Sequence, residues 1–327
     1  MKIGSLELGE HPVFFAPLAG ITHAPARLLA REAGCPLAWS EMVSAEGLVR
    51  RQAGSLADLQ RLPEEDPVAV QIFGADPAVM AEAARMVEES GAAVVDINAG
   101  CAVGKILRQG AGVALMREPN RMRELLRAVR QAVRIPLTVK LRSGWEPDGG
   151  QALAIGRIAE ECGADAVTLH PRTAAQKFMG RADWGLIARL KRALAIPVIG
   201  NGDIRTPEDA QRMVEETGCD AVMVGRRAVG DPHFFREVKE ALEGRPIPRE
   251  DPTERISRMR RYVELCVACH GEETAFRLLR TRLPWFTRNL PGAAALRRRI
   301  AACRSLAELR PLLGDVHSYI AWDPDLI

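Results

Sequence analysis

The sequence predicts an α/β protein: a (β/α)8 TIM barrel over residues 1–245 followed by a small all-α helical bundle over residues 246–327. Three observations carry that expectation. Eight short apolar runs rich in β-branched residues recur roughly every 30 residues, and each is followed by a segment of helical period. After a Pro-rich break at LEGRPIPREDP (242–252), only helical patterns remain.

The eight runs, in order, are VFFAPLAG (13–20), LAWSEMV (37–43), VAVQIFG (68–74), VVDINAG (94–100), LTVKLRSG (137–144), AVTLHPR (166–172), PVIGNGD (197–203) and AVMVGRR (221–227). Strands this apolar on both faces belong in a buried parallel sheet. The intervening DPAVMAEAARMVEESG (76–91) and TPEDAQRMVEETG (206–218) each open with a capping residue and a Pro in the first turn and close on Gly, which marks them as helices. Eight such units in about 245 residues fit a closed barrel, with a doubly wound open sheet as the alternative. The interval between the fourth and fifth runs is the long one, so CAVGKILRQGAG is an insertion over the barrel mouth. In the tail, TERISRMRRYVELCVACH, EETAFRLLRTRLPWFTR and AAALRRRIAACRSLAELRPLL carry apolar residues at helical spacing, which reads as the core of a helical domain.

Composition narrows the class further. With 327 residues, 47% hydrophobic and 27% charged, the chain is neither disordered nor fibrous. No run approaches the roughly 18 apolar residues of a membrane span, and the start MKIGSLELGEHPVFF lacks a secretory pattern, so the expected compartment is the cytoplasm. Seven scattered cysteines make an odd set, against a disulfide framework. Residues 1–245 carry a net charge of −1 and residues 246–327 one of +4. Between Arg255 and Arg310 the excess reaches +9, which suits either a solvated surface or a phosphate-rich partner.

In a barrel of this kind chemistry sits at the C-terminal ends of the strands. The candidates there are polar: Gln71, Asn98 with Cys101, Lys140 with Arg142, His170 with Arg172, Asn201 with Asp203, and Gly225 with Arg226. Gly200-Asn201-Gly202-Asp203 and Gly225-Arg226-Arg227 end the last two strands, where backbone N–H groups commonly hold a phosphate. Lys140 is one of only six lysines beside 39 arginines, and a compact ammonium suits the localised charge on the N1–C2=O edge of a reduced flavin. Cys101 differs from the other cysteines in lying at the barrel mouth, where a thiol can act as acid, base or nucleophile. Cys266-Val-Ala-Cys269-His270 matches a haem-attachment string, but its helical phase suits core packing, and no metal site is expected. No complete G-x-G-x-x-G is present, so a separate Rossmann domain is not indicated.

Taken together, the strings resemble the bacterial tRNA-dihydrouridine synthase family, FMN enzymes that reduce uridine in tRNA. The matching pieces are APLAGIT (16–22), SEMV (40–43), QIFG (71–74), DINAGC (96–101) with Lys105 and GAG (110–112), VKLRSGW (139–145), HPRTAAQKFMGRADW (170–184), NGDI (201–204), VGRRAVGDP (224–232) and AFRLLRTRLPWF (275–286). The resemblance implies that Pro17, Leu18 and Ala19 contact the flavin, that Gln71, Lys140 and His170 surround FMN, and that Asn201, Gly202, Asp203, Gly225 and Arg226 hold its phosphate. It also implies that Cys101 donates the proton and that Asn98, Lys105, Arg108, Arg142 and Arg172 border the uracil and nearby RNA. Two positions depart from the family pattern: Ala102 stands where Pro is usual, and Pro171 where Gly or Ala is usual.

The implied reaction is conjugate reduction, with hydride going from the flavin to C6 of uracil and a proton from Cys101 to C5. NADPH, or NADH, is the expected reductant. A barrel mouth reaches only a base swung out of folded RNA. The Arg-rich tail, through Arg277, Arg280 and Arg282, is then expected to clasp tRNA phosphates and to bind more weakly as salt rises. The chain is expected to act as a monomer without a membrane or an obligate protein partner. One alternative keeps the flavin on a small-molecule pyrimidine or dihydroorotate-type substrate, which leaves the basic tail without a task. Another is a catalytically silent RNA-binding module.

Overall fold

The computed structural model describes residues 1–314 except Asn289 and Pro291, so the last part of the expected helical region, from 315 onward, lies outside the described residues. Eight parallel strands close into a barrel. We number them β1 (Val13–Phe15), β2 (Ala38–Ser44), β3 (Val68–Phe73), β4 (Val94–Ala99), β5 (Leu137–Gly144), β6 (Ala166–Thr173), β7 (Val198–Asn201) and β8 (Ala221–Val224). β8 pairs with β1 through Val222↔Val13 and Val224↔Phe15, which closes the ring. The open-sheet alternative is thereby excluded.

The barrel interior runs from apolar to polar along the strands. Side chains at alternate positions point inward. At one end Phe14, Trp39, Ala69, Val94, Ala166, Ile199 and Ala221 form a buried cluster. Further along the same strands the inward positions become Gln71, Asp96, Thr138, Lys140, His170 and Asn201. A short antiparallel hairpin, Lys2–Ile3 with Leu6–Glu7, puts Ile3 and Leu8 into the apolar cluster. A Cβ on its turn residue Gly4 would meet Pro136, which leads into β5, and Asp165, which leads into β6. The hairpin therefore plugs the N-terminal end, and chemistry is confined to the other.

The sequence departs from the structure in two places. Only Val13–Phe15 of the first run is strand; residues 16–20 form a loop in which Leu18 N–H donates to Thr22 Oγ1 at 3.0 Å and Gly20 N–H donates to the Glu41 carboxylate. The last tail string is two helices, Ala293–Ala302 and Leu306–Gly314, because Cys303 leaves helical conformation at φ −61°, ψ 141°.

Contacts divide the chain into two units: Met1–Arg227 with Phe235–Ile247, and Ala228–Phe234 with the residues from Pro248 onward. The second unit takes in the helices Pro252–His270 and Glu272–Phe286. Its interior holds Ile256, Met259, Tyr262, Cys266, Leu279, Leu283 and Phe286, with the Tyr262 and Phe286 rings 4.9 Å apart and tilted by 33°. The Cys266 thiol packs there as an apolar group. Among the described residues no helix is long and apolar enough to cross a membrane.

Candidate active site

Three buried polar side chains on neighbouring strands set the floor of the mouth. Gln71, Asp96 and Thr138 lie side by side in register on β3, β4 and β5. Asp96 is fully buried; its carboxylate accepts from Thr138 Oγ1 at 2.6 Å and from Gln71 Nε2 at 2.6 Å. Gln71 Oε1 in turn accepts from Asn98 Nδ2 at 2.8 Å. Burial pushes the Asp96 carboxyl up to about 6, against the pull of Thr138, Gln71 and Lys140. Sequence reasoning missed Asp96 and Thr138 as site residues. The available signal was a carboxylate inside an apolar strand, a group that is almost never buried without dedicated partners.

Asn98 carries that floor to the thiol loop. Its Oδ1 accepts from the backbone N–H of Cys101 at 2.9 Å and of Gly100 at 3.2 Å. The insertion beyond it folds into a short helix, Gly104–Leu107, and a 3-10 segment, Gly112–Arg117, and returns to the loop where Val113 N–H donates to Cys101 O at 3.0 Å. Burial raises the Cys101 thiol above its ordinary value, and Val103 N–H, Arg142 and Lys140 only partly oppose this. The thiol therefore keeps its proton at neutral pH.

Gly112 makes the loop possible. It adopts φ +64°, and a Cβ there would lie 2.5 Å from Cys101 O. Gly112→Ala is expected to cost about 1–2 kcal/mol from the left-handed backbone alone, plus the displacement of Cys101. The thermal midpoint should fall and the thiol loop should exchange its amide hydrogens faster; an unchanged midpoint would contradict this packing.

Two arginines expected at the substrate edge also tie the mouth loops together. Arg142 donates from Nε to Gly100 O at 2.7 Å and from one Nη to Lys177 O at 2.8 Å, tying the thiol loop to the loop after β6. Arg172 is 1% exposed. Its guanidinium grips both oxygens of Asp203 at 2.8 Å and donates to Met179 O at 3.1 Å and Gly180 O at 2.7 Å. Asp203 also accepts from Ala182 N–H at 2.7 Å. These contacts pin the segment between β6 and residue 183 and leave Phe178 and Met179 exposed on it. The Arg172 head is engaged through all three of its nitrogens, whereas the bonds of Arg142 use only Nε and one Nη. Lys105 and Arg108 are exposed on the insertion helix and its C-terminal end.

The remaining mouth residues form a cationic crescent. Lys140 Nζ donates to Asn201 Oδ1 at 3.1 Å, and Asn201 Nδ2 donates to Met223 O at 2.7 Å. Burial and Arg142 lower the Lys140 ammonium to about 8, although Asp96 and Cys101 favour its charge. His170 is held well below its ordinary value by burial and by Lys140, Arg142, Arg172 and Arg226. It is therefore neutral at pH 7. Its Nε2 lies 3.1 Å from an Arg172 Nη, and arginine only donates, so Nε2 accepts and the proton sits on Nδ1. Gly202, at φ +114°, lies against the His170 ring, which a Cβ would meet at 2.8 Å. Gly225 is open: the nearest atom to a Cβ there is 3.8 Å away. Arg226 is exposed with its guanidinium 4.8 Å from the Phe178 ring. Pro17 and Leu18 are half-buried and Ala19 is exposed on the loop after β1. Arg277, Arg280 and Arg282 belong to the helical unit. Arg277 pairs with Glu273 at 3.6 Å, Arg280 donates to Ala301 O at 3.2 Å, and Arg282 lies over Trp285 at 4.7 Å.

The family model described as dihydrouridine synthase matches residues 14–319. The chain belongs to the dihydrouridine synthase family. Among its relatives, tRNA-dihydrouridine synthase B of Pseudomonas aeruginosa is 38% identical over 298 residues, covering 91% of this chain and 90% of the relative. The probable tRNA-dihydrouridine synthase of Treponema pallidum is 38% identical over 328 residues, covering 96% and 95%. Two solved structures share the barrel. A 2-naphthoyl-CoA reductase complex has a TM-score of 0.57 at 16% identity, covering 75% of this chain and 52% of its own. Morphinone reductase has 0.54 at 14%, covering 77% and 91%. At such identities they attest the fold alone. The dihydrouridine synthase family assignment rests on the sequence matches, which span the barrel and most of the tail.

Proposed function

We propose that this chain reduces the C5=C6 bond of uridine in tRNA in the cytoplasm, using FMN at the barrel mouth, Cys101 as the proton donor and NADPH as the external reductant. The observation that supports it most is a thiol that keeps its proton at neutral pH, held by backbone bonds at the same strand ends as a ring of cations with few counter-charges. That ring suits an anionic cofactor: burial depresses His170 most, and the four surrounding cations that add to it are positive charge that a bound phosphate and a flavin edge would neutralise. The open space over Gly225 beside Arg226 fits a phosphate approaching the backbone.

When bound and reduced, FMN supplies the hydride for C6 of the uracil. Lys140 would sit at the flavin N1–C2=O edge, oriented by Asn201. The His170 Nδ1–H is available as a neutral donor toward a carbonyl where negative charge develops. Cys101 delivers its proton to C5. Incubation of the flavin-loaded protein and NADPH with tRNA lacking dihydrouridine should yield dihydrouridine at defined positions. Reduction of free uridine or orotate in place of tRNA would replace this reading with the small-molecule one.

Lys140 gives the reading a pH signature. An anionic ligand binds best to the protonated ammonium, so the FMN dissociation constant should stay flat from pH 7 to about 8 and then rise, by at most about tenfold per unit, as Lys140 loses its proton. Flavin fluorescence titration measures this. Lys140→Met should weaken binding and flatten the profile; a wild-type profile without a rise up to pH 10 would remove Lys140 from the flavin site.

A further inference from the structure

We propose that Asp96 is a positioning residue for the thiol, acting through a one-way chain of amide orientations that runs Asp96, Gln71, Asn98 to the backbone of Cys101. The proposal rests on the reaction read above for its catalytic consequence and on hydrogen-bond direction for its wiring.

The direction is fixed from both ends. An ionised carboxylate only accepts, so Gln71 must turn its NH2 toward Asp96, as it does at 2.6 Å. That turns Gln71 Oε1 toward Asn98, which must answer with its own NH2, at 2.8 Å. Asn98 Oδ1 is thereby left facing Gly100 N–H and Cys101 N–H, two donors that accept no other arrangement. The Asp96–Gln71 and Gln71–Asn98 links are buried, where a mismatched pair of acceptors or donors is costly, and the links from Asn98 to Gly100 and Cys101 are part-buried. Asp96 touches neither the thiol nor any exposed surface, and it is completely enclosed. The groups facing it are Gln71 and Thr138 by hydrogen bond, the buried Trp39 indole N–H, and Lys140 as the neighbouring charge.

The wiring makes a prediction that ordinary packing does not. Asn98→Asp puts a carboxylate at both ends of Gln71, so whichever way the amide turns, its oxygen meets an acceptor. Adding Asp96→Asn reverses the whole chain. Thr138 Oγ1 then donates to the new amide oxygen, the new NH2 donates to Gln71 Oε1, Gln71 Nε2 donates to the carboxylate at 98, and the Gly100 and Cys101 N–H groups keep an acceptor. The same substitution at 96 should thus have opposite signs in the two backgrounds. In the wild-type chain it removes the charge beside Lys140 and forces the Thr138 hydroxyl to turn, so kcat and thermal midpoint should fall. In the Asn98→Asp chain it should raise kcat at least tenfold and raise the midpoint by several degrees, with the KM for tRNA unchanged.

The test compares the four flavin-loaded proteins, wild type, both single variants and the double variant, by turnover on unmodified tRNA and by thermal melting. Opposite signs in both readouts are expected. Losses of the same sign in both backgrounds would overturn the proposal. Should Asn98→Asp alone fail to fold, recovery of a folded, flavin-binding protein on adding Asp96→Asn supports the chain, and failure to recover overturns it. Melting needs no substrate, so a sign reversal in midpoint with no activity on tRNA in any of the four proteins would leave the wiring standing and sink the proposed reaction instead.

Discussion

Cys101→Ala is expected to leave FMN and tRNA binding within about twofold of the parent while slowing uridine reduction by ~10²–10⁴-fold, the range that loss of a positioned general acid produces. The direction follows from the site. Burial holds the thiol above its ordinary value, so at neutral pH it carries a proton to give, and the cations that would favour a thiolate, Arg142 and Lys140, do not outweigh the burial. Asn98 Oδ1 and Val113 N–H hold the backbone of residue 101, and the thiol itself meets only the Val103 N–H, so an alanine keeps the loop in place. Cys101→Ser should resemble alanine in rate, because a hydroxyl is a far weaker acid than a thiol. Single-turnover oxidation of the pre-reduced enzyme by tRNA measures the step, and near-parental rates in both variants would remove Cys101 from the acid role.

Arg172→Ala is expected to lower stability toward the lower end of the about 3–5 kcal/mol that removing one partner of a buried ion pair costs, because Asp203 keeps some exposure. Asp203 would keep only the Ala182 N–H, and the carbonyls of Met179 and Gly180 would lose their donor, so the loop carrying Phe178 should come free. The variant's deficit should also shrink at acid pH. In the parent, burial would raise the Asp203 carboxyl, but Ala182 N–H and Arg172 outweigh it and hold the group below its usual value. That stabilisation is fully present above the unfolded carboxylate value near 4 and is lost as pH falls through the lowered folded value. Arg172→Lys should restore little, because an ammonium cannot span both carboxylate oxygens and two carbonyls at once. Thermal melting at pH 7 and pH 3 measures both effects; a midpoint within a degree of the parent at pH 7 would show that the clasp holds nothing.

The barrel was legible because strands buried on both faces must be apolar and because helices between them carry caps and Gly stops. The thiol, Lys140, His170 and Asn201 were legible as polar residues at strand ends. The plugging hairpin was not, since strands of two residues fall below any hydrophobic period. Arg142 and Arg172 were placed correctly at the mouth, but a strand position fixes only where a long side chain starts. Whether its head reaches a ligand or turns to the carbonyls of the next loop depends on loop geometry that no local pattern encodes. Asp96 escaped for a related reason: in the run VVDINAG it reads as one polar interruption, and its meaning comes from Gln71 and Thr138, which are 25 and 42 residues away in the chain.

The account turns on a uridine being reduced between a flavin and the Cys101 thiol. Its most direct test is to mix the pre-reduced, flavin-loaded protein anaerobically with tRNA lacking dihydrouridine and to follow flavin oxidation and nucleoside mass together. One dihydrouridine formed per flavin oxidised is the expected result. A flavin that stays reduced in the presence of bound tRNA, or that is oxidised without dihydrouridine appearing, would contradict the account.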